Sequence, residues 1–275
     1  MKISGNLDKM PVRHEDPVGY ALPLGDEQVP LNELIGQTLV LEFGGVINCV
    51  NCGRETKKSF AQGHCFPCFR RLASCDMCYV SPERCHYEQG TCREPEWADD
   101  HCMRAHIVYL ANTSGLKVGI TRQPQIPVRW IDQGATQALP VFEVPTRYVS
   151  GRVEVLFKSL ISDRTDWRRM LKGDPEPMDL PSRRDGLLDE LGERIGALAA
   201  EPGVGTPVSL PDAEPVGIRY PVSEYPEKVK ALNFDKDPRV AGTLLGIKGQ
   251  YLILDTGVLN IRKFGGYRIS METPG

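Results

Sequence analysis

Nine cysteines punctuate this 275-residue chain, and four of them form two C-x2-C pairs separated by twelve residues: Cys49 with Cys52, and Cys65 with Cys68. No other feature limits the folding of the chain as much. Each pair can curl into a tight turn that aims two sulfurs at one point. Four thiolates at this spacing suit a tetrahedral Zn²⁺ of structural type. Gly53 follows the first pair directly, where a backbone with positive φ is often needed. The intervening stretch 54–64 is long enough for a short hairpin. Disulfides are the competing use, and an iron–sulfur cluster is a second one. The chain opens Met1-Lys2-Ile3-Ser4-Gly5, with charged Asp8 and Lys9 and no apolar segment of a secretory signal. A reducing, cytoplasmic setting is the expectation, and there thiols hold metal rather than pair.

The two pairs resemble a zinc ribbon, a unit frequent in proteins that handle nucleic acid, although a ribbon alone fixes no function. Lys57, Lys58, Arg70 and Arg71 flank the pairs and are candidate phosphate contacts or the solvated rim of the ribbon. A third C-x2-C pair, Cys75 and Cys78, is followed by Cys85, His86, Cys92, His101 and Cys102. Its spacing makes Cys75 and Cys78, with Cys85 and Cys92, the first choice for a second tetrahedral site. Cys102, His86 and His101 are alternatives, and small buried thiols are the bland reading. Residues 49–103 hold few large aliphatic side chains, so metal must replace hydrophobic burial there.

The remaining sequence divides by pattern. Residues 1–48 read as a small β unit with a strand at 38–43. Residues 104–172 read as α/β, 173–215 as an acidic helical linker, and 216–275 as a small β-barrel built from strands at 240–245, 251–254 and 258–261. The fold class is therefore multi-domain α+β. No run of about 18 apolar residues exists, so no membrane span is expected. The net charge of −3 carries no signal, but its distribution does. Residues 104–172 hold 11 basic and 5 acidic groups, whereas 173–215 hold 3 and 10. The basic segment is the one that would attract a phosphate backbone.

Within that segment, Ile107-Val108-Tyr109-Leu110-Ala111 and Leu116-Lys117-Val118-Gly119-Ile120 flank the turn Asn112-Thr113-Ser114-Gly115 and predict a hairpin. Pro127 can open a helix through Val128, Ile131 and Ala135. Val153, Leu156, Phe157, Leu160 and Ile161 then mark one face of a second helix. This order, with Lys117-Val118-Gly119-Ile120-Thr121-Arg122, resembles the GIY-YIG nuclease superfamily over residues 107–161. The first-motif glycine is absent, and Lys117 stands where a second tyrosine is usual.

That resemblance implies a role for each matched residue. Tyr109 would help activate the attacking water, and Gly119 would permit close backbone approach. Arg129 would stabilise charge on the scissile phosphate, and Glu154 would hold Mg²⁺ or Mn²⁺. Lys117 and Arg122 would add phosphate contacts. The element order of the whole chain also resembles a bacterial protein family of unknown function. The functional expectation is a zinc-stabilised protein acting on DNA or RNA, as an endonuclease or as a non-catalytic binding or assembly protein on a nuclease-like fold.

Overall fold

The ten-residue strand Thr38–Ile47 organises the larger of the two main sheets. The computed structural model describes residues 2–272. In chain order the N-terminal part holds β1 (Lys2–Asn6), β2 (Val12–Arg13), β3 (Gly19–Leu24), β4 (Glu27–Pro30) and β5 (Thr38–Ile47). The cysteine-rich part has only short helices: α1 (Phe66–Arg71), α2 (Met77–Val80) and α3 (Pro95–His101). Next come β6 (His106–Asn112), β7 (Leu116–Arg122), α4 (Val128–Asp132), β8 (Gln137–Val144), α5 (Arg147–Phe157), α6 (Trp167–Met170) and α7 (Leu180–Ala199). The chain ends with β9 (Val208–Ser209), β10 (Val216–Gly217), β11 (Arg239–Lys248), β12 (Tyr251–Leu254), β13 (Gly257–Asn260) and β14 (Tyr267–Glu272).

The first sheet runs β1-β14-β5-β11-β12-β13, antiparallel throughout, and a separate three-stranded sheet runs β2-β3-β4. This corrects the expected C-terminal barrel: no barrel closes among the described residues. Three short C-terminal strands would leave both of their edges bare. Instead β5 pairs with β11 along one edge and with β14 along the other, so strands from the two ends of the chain share one sheet. Alternation along β5 sends Leu39 and Leu41 into the core, at 1% and 0% exposure.

The second sheet runs β10-β8-β6-β7, with β9 also on β8. Every residue of β6 is buried, because both faces of this sheet are covered. Ile107, Tyr109 and Ala111 face the larger core with Trp130 and Ile131. Val108 and Leu110 face a second core with Val118 of β7, Val149, Val153 and Phe157 of α5, and Leu180, Leu191 and Leu198 of α7. Thr146 caps α5 by accepting from the Val149 N–H at 3.3 Å. Asp179 caps α7 by accepting from the Ser182 N–H at 3.0 Å.

The acidic stretch 173–215, expected as a linker, is thus built into the fold. α7 buries its apolar face on the second core, and the chain beyond it adds β9 to β8. Leu210 N–H also donates to Val141 O at 2.9 Å. Among the described residues no helix is long and apolar enough to cross a membrane.

Candidate metal centre and cationic cluster

β5 delivers the chain directly into the first cysteine pair. A bridge between Asn48 and Glu55 folds the turn back, with Gly53 N–H donating to Cys49 O at 2.8 Å and Gly53 at φ +72°. The second pair opens α1, with Cys65 at its N-cap and Cys68 in its first turn. The four sulfurs all lie within 4.8 Å of one another, and Cys52 Sγ is 3.7 Å from Cys65 Sγ. Asn51 Nδ2 donates to Cys68 Sγ at 3.3 Å. Burial opposes ionisation of Cys49, but backbone N–H groups of Cys65, Cys52 and Asn51 outweigh it and hold its pKa down to about 6. The donor set fits a closed, soft, tetrahedral cation, and Zn²⁺ matches it.

The flanking cations lie on the outside of this unit. Lys57, Lys58, Arg70 and Arg71 are all exposed. Lys58 Nζ sits 5.3 Å from the Phe60 ring and the Arg70 guanidinium 6.0 Å from Phe66.

The remaining thiols separate differently from the expected grouping. Cys75 packs against Cys49, Cys65, Cys68 and Leu72, beside the first centre. Cys78, Cys85, Cys92 and Cys102 instead line one small cavity, and His86 and His101 do not.

The residues matched to the nuclease motifs lie within charge range of one another around the middle of β6 and β7. Tyr109 and Gly119 are register partners on adjacent strands, and a Cβ on Gly119 would lie 2.6 Å from the phenol carbon and oxygen. Tyr109 is fully buried, edge-on to Trp130 at 5.9 Å, and its hydroxyl has no hydrogen-bond partner. Burial pushes its pKa up, while Arg129 and Gln133 approach the hydroxyl and act the other way. Lys117 is buried and donates to Gln133 Oε1 at 2.8 Å. Burial, then the charge of Arg129, pulls its pKa down to about 8.

Glu154 stands on α5 within charge range of Asp163, Lys158, Lys117 and Arg147, and burial raises its pKa to about 7. Lys158 Nζ is engaged by Asp163 Oδ2 at 2.9 Å.

Two further cations join this group. The charges of Lys117, Arg147 and Arg262 are all felt with that of Arg129, and burial lowers the pKa of both Arg147 and Arg262. Arg262 donates to Gln62 Oε1 at 2.7 Å, which ties the cluster to the ribbon loop. Among the described residues none of these four cations is ion-paired with a carboxylate. Arg122 is half-buried at the end of β7, within charge range of His106. Sequence reasoning missed Arg147 and Arg262. Arg147 was hidden by its ordinary place at a helix start, and Arg262 by its distance along the chain.

A family model described as a protein of unknown function, DUF2797, matches residues 36–269. The chain belongs to that family. No curated protein and no solved structure matches the chain. The matched span runs from just before β5 to within β14, so it includes both cysteine clusters, the cationic cluster and most of the first sheet.

Proposed function

We propose that this protein acts on DNA or RNA, with Lys117, Arg129 and Arg262 receiving backbone phosphates beside a zinc-stabilised ribbon. The observation that carries the reading is the convergence of three buried or half-buried cations with no ion-paired carboxylate. Like charges brought together out of water cost free energy unless an anion completes them. A polyanion supplies that charge, and guanidinium groups can bind two phosphate oxygens at once.

The hydrolytic form of this reading adds Glu154. Its carboxylate, with that of Asp163 in charge range, is a hard oxygen donor of the kind Mg²⁺ or Mn²⁺ prefers. Such an ion, when bound, stabilises charge on phosphate oxygens. Arg129 would orient and neutralise the phosphate. Tyr109, sealed beneath Gly119 and Trp130, would pack under the site rather than meet the attacking water. The burial of that hydroxyl is also the observation that favours a second reading, a binding protein on a nuclease-like sheet.

Labelled single-stranded, duplex and branched DNA and RNA, incubated with Mg²⁺ or Mn²⁺, test both. Cleavage lost in Glu154→Gln with binding retained supports the hydrolase. Salt-dependent binding weakened by Arg129→Ala, without cleavage, supports the binding protein. Neither binding nor cleavage by the folded, zinc-loaded chain overturns both.

A further inference from the structure

We propose that Cys78, Cys85, Cys92 and Cys102 form a second four-thiolate Zn²⁺ site, which locks the cysteine-rich region onto the start of α5. This assignment stands apart from any nucleic-acid reading. Four of the five thiols outside the first centre line a single cavity of about 20 Å³, enough for one water-sized or ion-sized occupant. The other walls are largely apolar, among them Pro82, Trp97 and Ala98. Four thiols around such a cavity lack acceptors, whereas a soft divalent cation satisfies all four at once. Closure would release four thiol protons and leave a centre of net charge −2.

The surroundings fit that charge. Arg147 also lines the cavity, and its buried Nε has no hydrogen-bond partner. Its Nη2 donates to Tyr79 O at 2.7 Å, its guanidinium lies 4.6 Å from the Tyr79 ring, and its backbone N–H donates to Cys102 O at 2.8 Å. A cation held in this way is an outer partner for a thiolate centre. Cys85, Cys92 and Cys102 do not approach one another as closely as the first four sulfurs do. Binding therefore draws the side chains inward by rotamer changes.

Otherwise the segment is held by polar contacts, such as Glu94 Oε2 accepting from the Ala73 N–H at 2.7 Å. Between Leu72 and Cys102 the helices are single turns or little more, and no apolar core forms there. Yet this segment supports α5. Pro82 and Glu83 press on Gly151, where a Cβ would lie 2.6 Å from Glu83 N. A cross-link through Cys78 and Cys85, on either side of Pro82, would fix that contact.

Asp76, Cys78 and His86 are the rival donor set, with ligand atoms all within 4.8 Å. Asp76 is already held by Arg93 at 2.5 Å, and His86 Nδ1 lies 2.8 Å from Thr91 Oγ1.

The deciding measurement is zinc per chain, by elemental analysis and native mass spectrometry of the full-length protein and its variants. Two zincs are expected in the wild type, in Cys75→Ser and in His86→Ala, and one in Cys92→Ser or Cys102→Ser. Co²⁺ loading of the wild type guards against variants that fail to fold: two ions per chain, both with four-thiolate charge-transfer intensity, are expected. One metal per wild-type chain would overturn the assignment. Loss of the second metal in Cys75→Ser or His86→Ala, but not in Cys102→Ser, would overturn it as well.

Discussion

Gly119 faces Tyr109 across the β6–β7 ladder so closely that a methyl group there would lie 2.6 Å from the phenol oxygen. Tyr109 is fully buried beside Trp130 and has nowhere to retreat. Gly119→Ala should therefore overpack the core and destabilise the protein by about 1–3 kcal/mol. Urea unfolding measures the loss. Tyr109→Phe, which removes the buried unpartnered hydroxyl, should recover part of it in the double variant. Equal stability of Gly119→Ala and wild type would mean that the ring is free to shift.

A metal held by Cys49, Cys52, Cys65 and Cys68 would replace a core that residues 49–72 do not have. Structural zinc contributes on the order of 10 kcal/mol in isolated zinc units. Cys49 is buried at 2% exposure, and its serine variant would leave three ligands and a cavity. Cys49→Ser should lose this zinc and open the ribbon while both main sheets persist. Limited trypsin digestion should then cut rapidly at Lys57 and Lys58, with little change in far-UV circular dichroism. Slow cleavage at wild-type rate would show that the ribbon stands without its metal.

What the sequence made legible follows the range of the interactions. The β6–β7 hairpin was readable because the turn cluster at 112–115 and its flanking strands are local, and α5 because its apolar spacing is local. The pairing of β5 with β11 and β14 was not readable, since edge strands choose partners far along the chain. The same reason hid Arg262, which reaches the site through that sheet. C-x2-C spacing put Cys75 with Cys78. The fold turns Cys75 toward the first centre and sets Cys102 at the other cavity, where its carbonyl accepts from the Arg147 N–H at the start of α5. Spacing reports which thiols can form a knuckle, whereas tertiary packing decides which of them share a cavity.

Lys248 is a further element invisible to local pattern. Its side chain is fully buried, with Nζ 2.6 Å from Asp174 Oδ1 and 3.1 Å from Gly173 O, between the rings of Tyr220 and Tyr225. It ties β11 to the segment that leads into α7. Asp174 remains half exposed, so loss of the lysine does not strand a fully buried charge. Lys248→Met, which keeps the stem, should cost about 1–2 kcal/mol. Lys248→Ala, which also opens a cavity, should cost about 3 kcal/mol. Chemical denaturation of both variants checks the order. Equal costs would assign the whole effect to the charge.

Glu154 makes the protein's stability and its proposed chemistry depend on pH in opposite directions. Burial, with Asp163 beside it, raises its carboxyl pKa from 4.5 to about 7 in the folded chain. Between those values the folded state holds a proton that the unfolded state has lost. This contribution is fully present below about pH 4.5 and is lost as pH rises through about 7. Glu154→Gln, which imitates the protonated form, should leave stability nearly unchanged near pH 4.5 and raise it by about 2–3 kcal/mol near pH 8. Mg²⁺ should restore part of that difference to the wild type alone, because the ion favours the ionised carboxylate. Any metal-dependent cleavage should rise with pH through about 7, where the donor becomes charged. Urea titrations at both pH values, with and without Mg²⁺, test the coupling. A Glu154→Gln increment independent of pH would show that the carboxyl titrates as an ordinary exposed group.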